Sequence, residues 1–351
     1  MYVKLFDRSH IQLDELYQFS PPKYGWTLND IDTMALDIAL SDPKCTPANM
    51  QLGNHLEYAA DDGTPIWGGY IAGHSFDDAK LTLNCVDYNA LLKYRRLRAK
   101  QYATMDYGIL NRQLIDDAQA ARPDYPIGLT GYSIAAGAID TTREVKATDL
   151  LLAKLKDINA DANYDYWMDE ARVYHFALRR GADKPQYVLE YGGEADNIIA
   201  APTLARDILN LANDVYAEST VTDDSNNSTT ITSEQQDASS QSTYGLYEGT
   251  FSPNDGVTDQ STLDTQTQAA LALDSAPADS ITLTCTDGTL CPFDDLAIGD
   301  RVTLHLAPYF DYTASVRVLR MVQDDDKQTR EITVGSVVYK PQGPQRRAYA
   351  G

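Results

Sequence analysis

Both ends of the chain alternate apolar and polar residues with a period of two, and the middle does not. Near the start "YVKLFD", "WTLND" and "TMALDIALS" read as short strands, and "HLEYAADDGTPIWGGYIAGHSFDDAKLTLNCVDY" carries alternating runs around Asp62-Gly63 and the Phe76 to Lys80 stretch. Near the end "SITLTC", "DRVTLHLA", "TASVRVLRMVQDD" and "TREITVGSVVY" repeat the pattern. Asp287-Gly288, Gly299-Asp300 and Asp324 to Lys327 supply the turns. This spacing suits a small antiparallel barrel or sandwich, with Gly68 and Gly69 where a strand would bend or bulge at a barrel corner.

Between these ends the period changes. "DYNALLKYRRL" and "YGILNRQLIDDAQAAR" place apolar residues three and four apart and stop before Pro123. "KATDLLLAKLKDINA" repeats the pattern with Thr148 as its expected N-cap. Strands return at "YDYWMDEARVYHFALRRG", read as a hairpin, at "QYVLEYGG" and at "NDVYAES". Residues 219–243 are a Ser, Thr, Asn, Asp and Gln run with too little apolar surface to offset its ordering entropy in isolation. A helix is expected near 262–275, in "TLDTQTQAALALDSAP". The expected fold is therefore mainly β with α insertions. Its units are an N-terminal β unit over 1–95, a helical insertion over 96–160 and a second β unit over 161–345.

At 351 residues the chain is long enough for two or three domains. Its net charge of -22, with Asp far more abundant than Glu, argues against direct affinity for nucleic acid, which needs clustered Lys and Arg. Such acidity fits either a high-salt host or an ordinary acidic protein. There is no apolar run of membrane-spanning length and no secretory leader, so a soluble chain made without cleavage is expected. Cys45, Cys85, Cys285 and Cys291 form no CxxC pair, and His10, His55, His74, His175 and His305 do not cluster beside them, so no metal, no cofactor and no disulfide is expected.

Catalytic chemistry has little to rest on. The pairs Asp61-Asp62, Asp77-Asp78, Asp116-Asp117, Asp223-Asp224 and Asp294-Asp295 offer an acid and a base in principle, yet in so Asp-rich a chain they read as solvated turn or surface acids. No G-x-S-x-G, HExxH or phosphate loop is present, "DDDK" at 324–327 lacks EF-hand spacing, and His175 reads as a strand residue. Tyr is plentiful and Phe sparse, which suits partly wet interfaces in "NYDYWMDEARVYHF" and "APYFDY" as well as ordinary strand packing.

The order of these parts, from "IWGGYIAGHSFDDAKLTLNCVDYNALLKYR" through "NDVYAES", "DASSQSTYGLYE", the Gln-Ala helix and "LAIGDRVTLHL" to "ASVRVLRMVQDDDKQTREITVGSV", resembles the tail hub family of long-tailed phages. That family is related to the baseplate hub of contractile phages and to the base of type VI secretion spikes. The resemblance implies two tandem small antiparallel β-barrels with a helical subdomain and a homotrimer whose six barrels match a hexameric tail tube. It further implies a threefold tip or fibre on the other face, and DNA only in passage.

Carried onto this chain, the family's re-entry point falls on Asp237, Ser240, Tyr244 and Gly245. Asp237 is expected to cap a helical turn over 238–244 that ends at Gly245, with Tyr244 substantially buried. With little chain after residue 340, a fibre or lysin domain is expected on another chain. The competing readings are a cell-wall or polysaccharide hydrolase, which needs two carboxylates in one cleft, and a carbohydrate- or receptor-binding β module, which needs exposed aromatic platforms.

Overall fold

The computed structural model describes residues 1–137, 140–194, 196–203, 211–222, 228–253, 257–276, 280–309 and 311–335. Seven strands open the chain: β1 (Tyr2–Phe6), β2 (Gln12–Leu16), β3 (Lys23–Thr27), β4 (Thr33–Ala39), β5 (His55–Ala59), β6 (Pro65–Phe76) and β7 (Lys80–Asp87). Their alternating apolar residues, among them Val3, Leu5, Leu36, Ile38, Leu81 and Leu83, turn inward to one core around Trp67. The sheet bulges between Ile71 and Gly73 rather than at the expected Gly68-Gly69 pair. Those two glycines serve close approach instead. A Cβ on Gly68 would lie 2.9 Å from the Tyr88 ring, and one on Gly69 would lie 2.1 Å from the Val86 carbonyl oxygen.

The insertion holds β8 (Lys100–Asp106), α1 (Tyr107–Ala120), β9 (Gly131–Ile134), β10 (Asp140–Val145), α2 (Leu151–Asp161), β11 (Asp165–Met168) and β12 (Val173–Ala177). The helical run expected in "DYNALLKYRRL" is one short 3-10 turn, Tyr88–Leu92. Thr148 does not cap α2, whose N-cap is Leu150 without a side-chain bond. Here burial decides, because Leu151, Leu152, Leu155 and Ile158 pack against Leu110, Leu114 and Ile115 of α1. The hairpin β11–β12 joins the same core through Tyr166, Tyr174 and Phe176.

The remaining elements are β13 (Asp183–Tyr191), β14 (Asp214–Thr222), β15 (Ser228–Gln236), α3 (Ala238–Tyr244), β16 (Glu248–Phe251), α4 (Gln260–Asp274), β17 (Ser280–Thr286), β18 (Arg301–Leu306), β19 (Tyr312–Asp324) and β20 (Thr329–Gly335). The low-complexity run is thus largely a hairpin, with β14 and β15 paired in unbroken register from Asp214–Gln236 to Thr222–Ser228. A neighbour supplies the apolar surface that the run lacks. Val215 packs on Ala270 and Leu271 of α4, and Ala217 on Leu263 and Val257.

The two β regions share one sheet of 12 strands, in which β19 pairs with β18, β20 and β3. Strand β3 therefore belongs to both halves. Its Tyr24 lies in the N-terminal core, whereas Leu28, just beyond its end, lies in the C-terminal core of Leu304, Val318 and Ile332. Among the described residues no strand pairing closes either half into a barrel. The C-terminal strands come nearest, because residues 197–199 bond to Thr284 and Thr286 of β17 and to the Glu190 carbonyl of β13.

Candidate functional site: a tryptophan junction and a polar re-entry

Residues Ala238–Tyr244 form a short helix whose first turn is held by Asp237, with Oδ1 accepting from the backbone N–H of Ser239 and Ser240 at 3.0 Å each. Gly245 ends the helix at φ 90, the left-handed region that glycine tolerates best. Tyr244 is 37 % exposed, not substantially buried, so it is not the pin. That role falls to Asn213, a fully buried residue that the sequence reading missed. Its Nδ2 donates to Ser240 Oγ at 3.1 Å and to the Gly245 carbonyl at 2.7 Å, and its Oδ1 accepts from the Tyr247 N–H at 2.8 Å. Ser240 is the buried member of the helix, and the motif is a structural clasp without reactive geometry.

The Asp pairs sit in turns and surface bonds. Asp77 Oδ1 accepts from the N–H of Ala79 and Lys80, Asp62 from Thr64, Asp116 from the Tyr132 hydroxyl, and Asp117 from Lys100, Tyr102 and Gln113. Asp294 and Asp295 lie in a 3-10 turn, and Asp223-Asp224 lies outside the described residues. Cys85, Cys285 and Cys291 are free and buried, and burial pushes the Cys285 thiol up to about 12 and that of Cys291 to about 11. Thiols so far above neutral are inert packing groups. His175 does find a partner. Its Nε2 lies 2.8 Å from Asp169 Oδ2, and its ring stacks on Trp167 at 4.7 Å.

That stack forms one wall of the most chemically loaded place in the molecule. The three tryptophans of the chain, Trp26, Trp67 and Trp167, all line one cavity of about 80 Å³, with Asp87, Asn89, Asp169, Glu170 and Arg180 around it. Three units meet there: β3 and β6 with the end of β7, the turn between β11 and β12, and the link into β13. Trp67 is anchored by its indole N–H to the Gly25 carbonyl at 3.0 Å. The Arg180 guanidinium lies 4.7 Å over the Trp167 ring.

Charges behind the cavity tie the units together. Asp165 at the start of β11 accepts from Asn29 Nδ2 at 2.9 Å, from the Arg180 N–H at 2.5 Å and from the buried Arg317 of β19. Arg317 also donates to the carbonyls of Gly299 and Arg180. Asp32 accepts from Thr27 Oγ1 at 2.5 Å and from Arg320 Nε at 3.3 Å.

Desolvation shifts three of the groups facing the cavity. Burial raises Asp87 to about 7, only partly opposed by bonds from the Asp32 N–H and Asn89. It also raises Glu170, and it lowers Arg180 to about 10. One Asp87 oxygen, Oδ2, accepts from Asp32 and Asn89, each at 3.2 Å, while Oδ1 is buried without a partner. The sequence marked "NYDYWMDEARVYHF" only as interface or strand packing and carried no sign that its Trp and acids meet Trp26, Trp67 and Asp87. The only local signal was "YDYWMDEA" itself, where Trp and paired acids share one hairpin.

No protein-family model and no curated protein matches the chain. Solved structures do. A prophage tail protein from Listeria monocytogenes EGD-e is similar with a TM-score of 0.68 at 13% identity, over 95% of this chain and 94% of that one. The 43 kDa tail protein of prophage MuSo2 from Shewanella oneidensis gives 0.66 at 14% over 96% and 98%, and a tail protein from Neisseria meningitidis MC58 gives 0.62 at 15% over 95% and 96%. The chain has the fold of these tail proteins along nearly its whole length.

Proposed function

We propose that the chain is a structural, non-enzymatic component of a phage-type tail tip, a homotrimeric hub between a hexameric tail tube and a threefold tip. The observation that carries this reading is a fold likeness spanning at least 94% of each of the three tail proteins and at least 95% of this chain. In this reading the two β regions act as barrel-like halves sharing β3, so that three copies present six units to the tube. The insertion over 96–160 would extend to the end of β12, where its core ends, leaving the second β unit to begin at β13; its expected end at 345 lies outside the described residues. Its partners would be its own copies, a tube or distal tail protein, and tip or fibre proteins, in a virion assembled in the host cytoplasm.

The charge of -22 gives the channel its proposed mechanism. Acidic residues facing the lumen would repel DNA, so the nucleic acid passes without sticking. Imaging of purified particles checks both clauses. Density for three copies at the tail tip, with Asp and Glu lining the lumen, is expected; a lumen lined mainly by Lys and Arg would overturn the mechanism.

The hydrolase reading meets its own test in the junction cavity, where Asp87 and Glu170 converge. At about 80 Å³ the space is too small for the two sugars that must flank a scissile bond. A receptor-binding reading would begin from Tyr94, just before the insertion, and Tyr125 within it, which are 75% and 70% exposed.

A further inference from the structure

We propose that the tryptophan junction is a binding site for an alkylammonium group, carried either by a small free amine or by a lysine side chain of a docking protein. Two carboxylates at the cavity share one cation. Asp165 is paired with Arg317 and Asp32 with Arg320, and Asp169 is bonded to His175, while Asp87 and Glu170 face the single guanidinium of Arg180. A second cation beside Asp87 would take the place of the proton that burial favours there.

The bonding inventory points the same way. Asp87 Oδ2 is taken up by Asp32 and Asn89. Asp87 Oδ1 is buried with no donor. An ammonium has three donors and no acceptor, so it fits an orphan carboxylate oxygen beside a second carboxylate. An anion would meet two carboxylates, and a neutral apolar group would leave Oδ1 bare.

Size and walls narrow the class. One water occupies roughly 10–15 Å³ of such space, so a cavity of about 80 Å³ takes an ammonium with a few methylenes and excludes a sugar ring or nucleotide. Indole walls favour a cation that is only partly hydrated, as an alkylammonium is and a sodium ion is not. The groups facing Asp87 are Asp32 and Asn89 from its own side, Glu170 and Asp169 from the β11–β12 turn, and Arg180 from the link to β13. Since Asp87 titrates near 7, an entering cation expels its proton, and binding tightens as pH rises through that value.

The tryptophans make this testable without a label, because every indole in the chain borders the cavity. Methylammonium chloride, and separately a lysine-containing tripeptide with blocked termini, are titrated into the full chain against sodium chloride of equal ionic strength, following tryptophan emission. A saturable change is expected for at least one probe. It should be stronger at pH 8 than at pH 6, absent with sodium acetate, and weakened roughly tenfold or more in both Asp87→Asn and Glu170→Gln. Both variants are isosteric, and unchanged circular dichroism identifies them as folded. Tighter binding of methylammonium assigns the site to free amines, and tighter binding of the peptide to a docking side chain. No saturable response to either probe at pH 8, an equal response in both variants, or preference for acetate overturns the proposal.

Discussion

The tryptophan junction and the Asn213 clasp do the same job with opposite materials. Each stitches distant backbone into place, but the junction uses buried ions and indoles, whereas the clasp uses a neutral amide, a hydroxyl and backbone groups. The difference teaches where the molecule is vulnerable. A buried ion that loses its partner keeps its full desolvation cost, while a neutral group that loses a bond is far less exposed to that penalty.

The largest effect should therefore come from Asp165→Ala, which strands Arg317 and frees Arg180 and Asn29 at once. A loss of about 3–5 kcal/mol in denaturant melts is expected; a loss under about 1 kcal/mol would erase the contrast between the two regions. Asn213→Ala comes next, at roughly 2–3 kcal/mol, because it orphans the Gly245 carbonyl and the Tyr247 N–H together.

A pH series sharpens the comparison, since only the junction carries an acid pushed up to about 7. The folded state holds the Asp87 proton more tightly than the unfolded chain, whose ordinary carboxylate value is 3.8. Its contribution is complete below about pH 4 and is lost as pH climbs through about 7. Asp87→Asn should flatten that part of the stability profile, whereas Asn213→Ala should shift the profile without changing its slope.

The smallest effects lie in the clasp's own helix. Asp237→Ala should cost about 1 kcal/mol as a lost N-cap. Tyr244→Ala should stay within about 0.5 kcal/mol, because the ring is largely at the surface. If Tyr244→Ala costs more than Asn213→Ala, the pin has been assigned to the wrong residue.

This ordering mirrors what the sequence could disclose. The clasp's helix was legible because its signals are local: Asp237, the polar turn and Gly245 lie within nine residues. Its pin was not, since Asn213 stands 27 residues before Ser240 in the chain. The junction was almost wholly hidden, because Arg317 and Asp165 are 152 residues apart and Arg320 and Asp32 are 288 apart. Period-two patterning located the strands of both halves, yet it carries no information on which strands pair across them, so the sharing of β3 by two cores had no sequence signature. The low-complexity hairpin was illegible for a related reason. Its apolar face is completed by α4 (Gln260–Asp274), which follows β15 (Ser228–Gln236) only after a further loop, α3 and β16.

The proposed hub stands or falls on its copy number. The native mass of the purified protein, measured at low micromolar concentration and physiological salt, should be three times the chain mass of 38.8 kDa; a stable monomer at that concentration would contradict it.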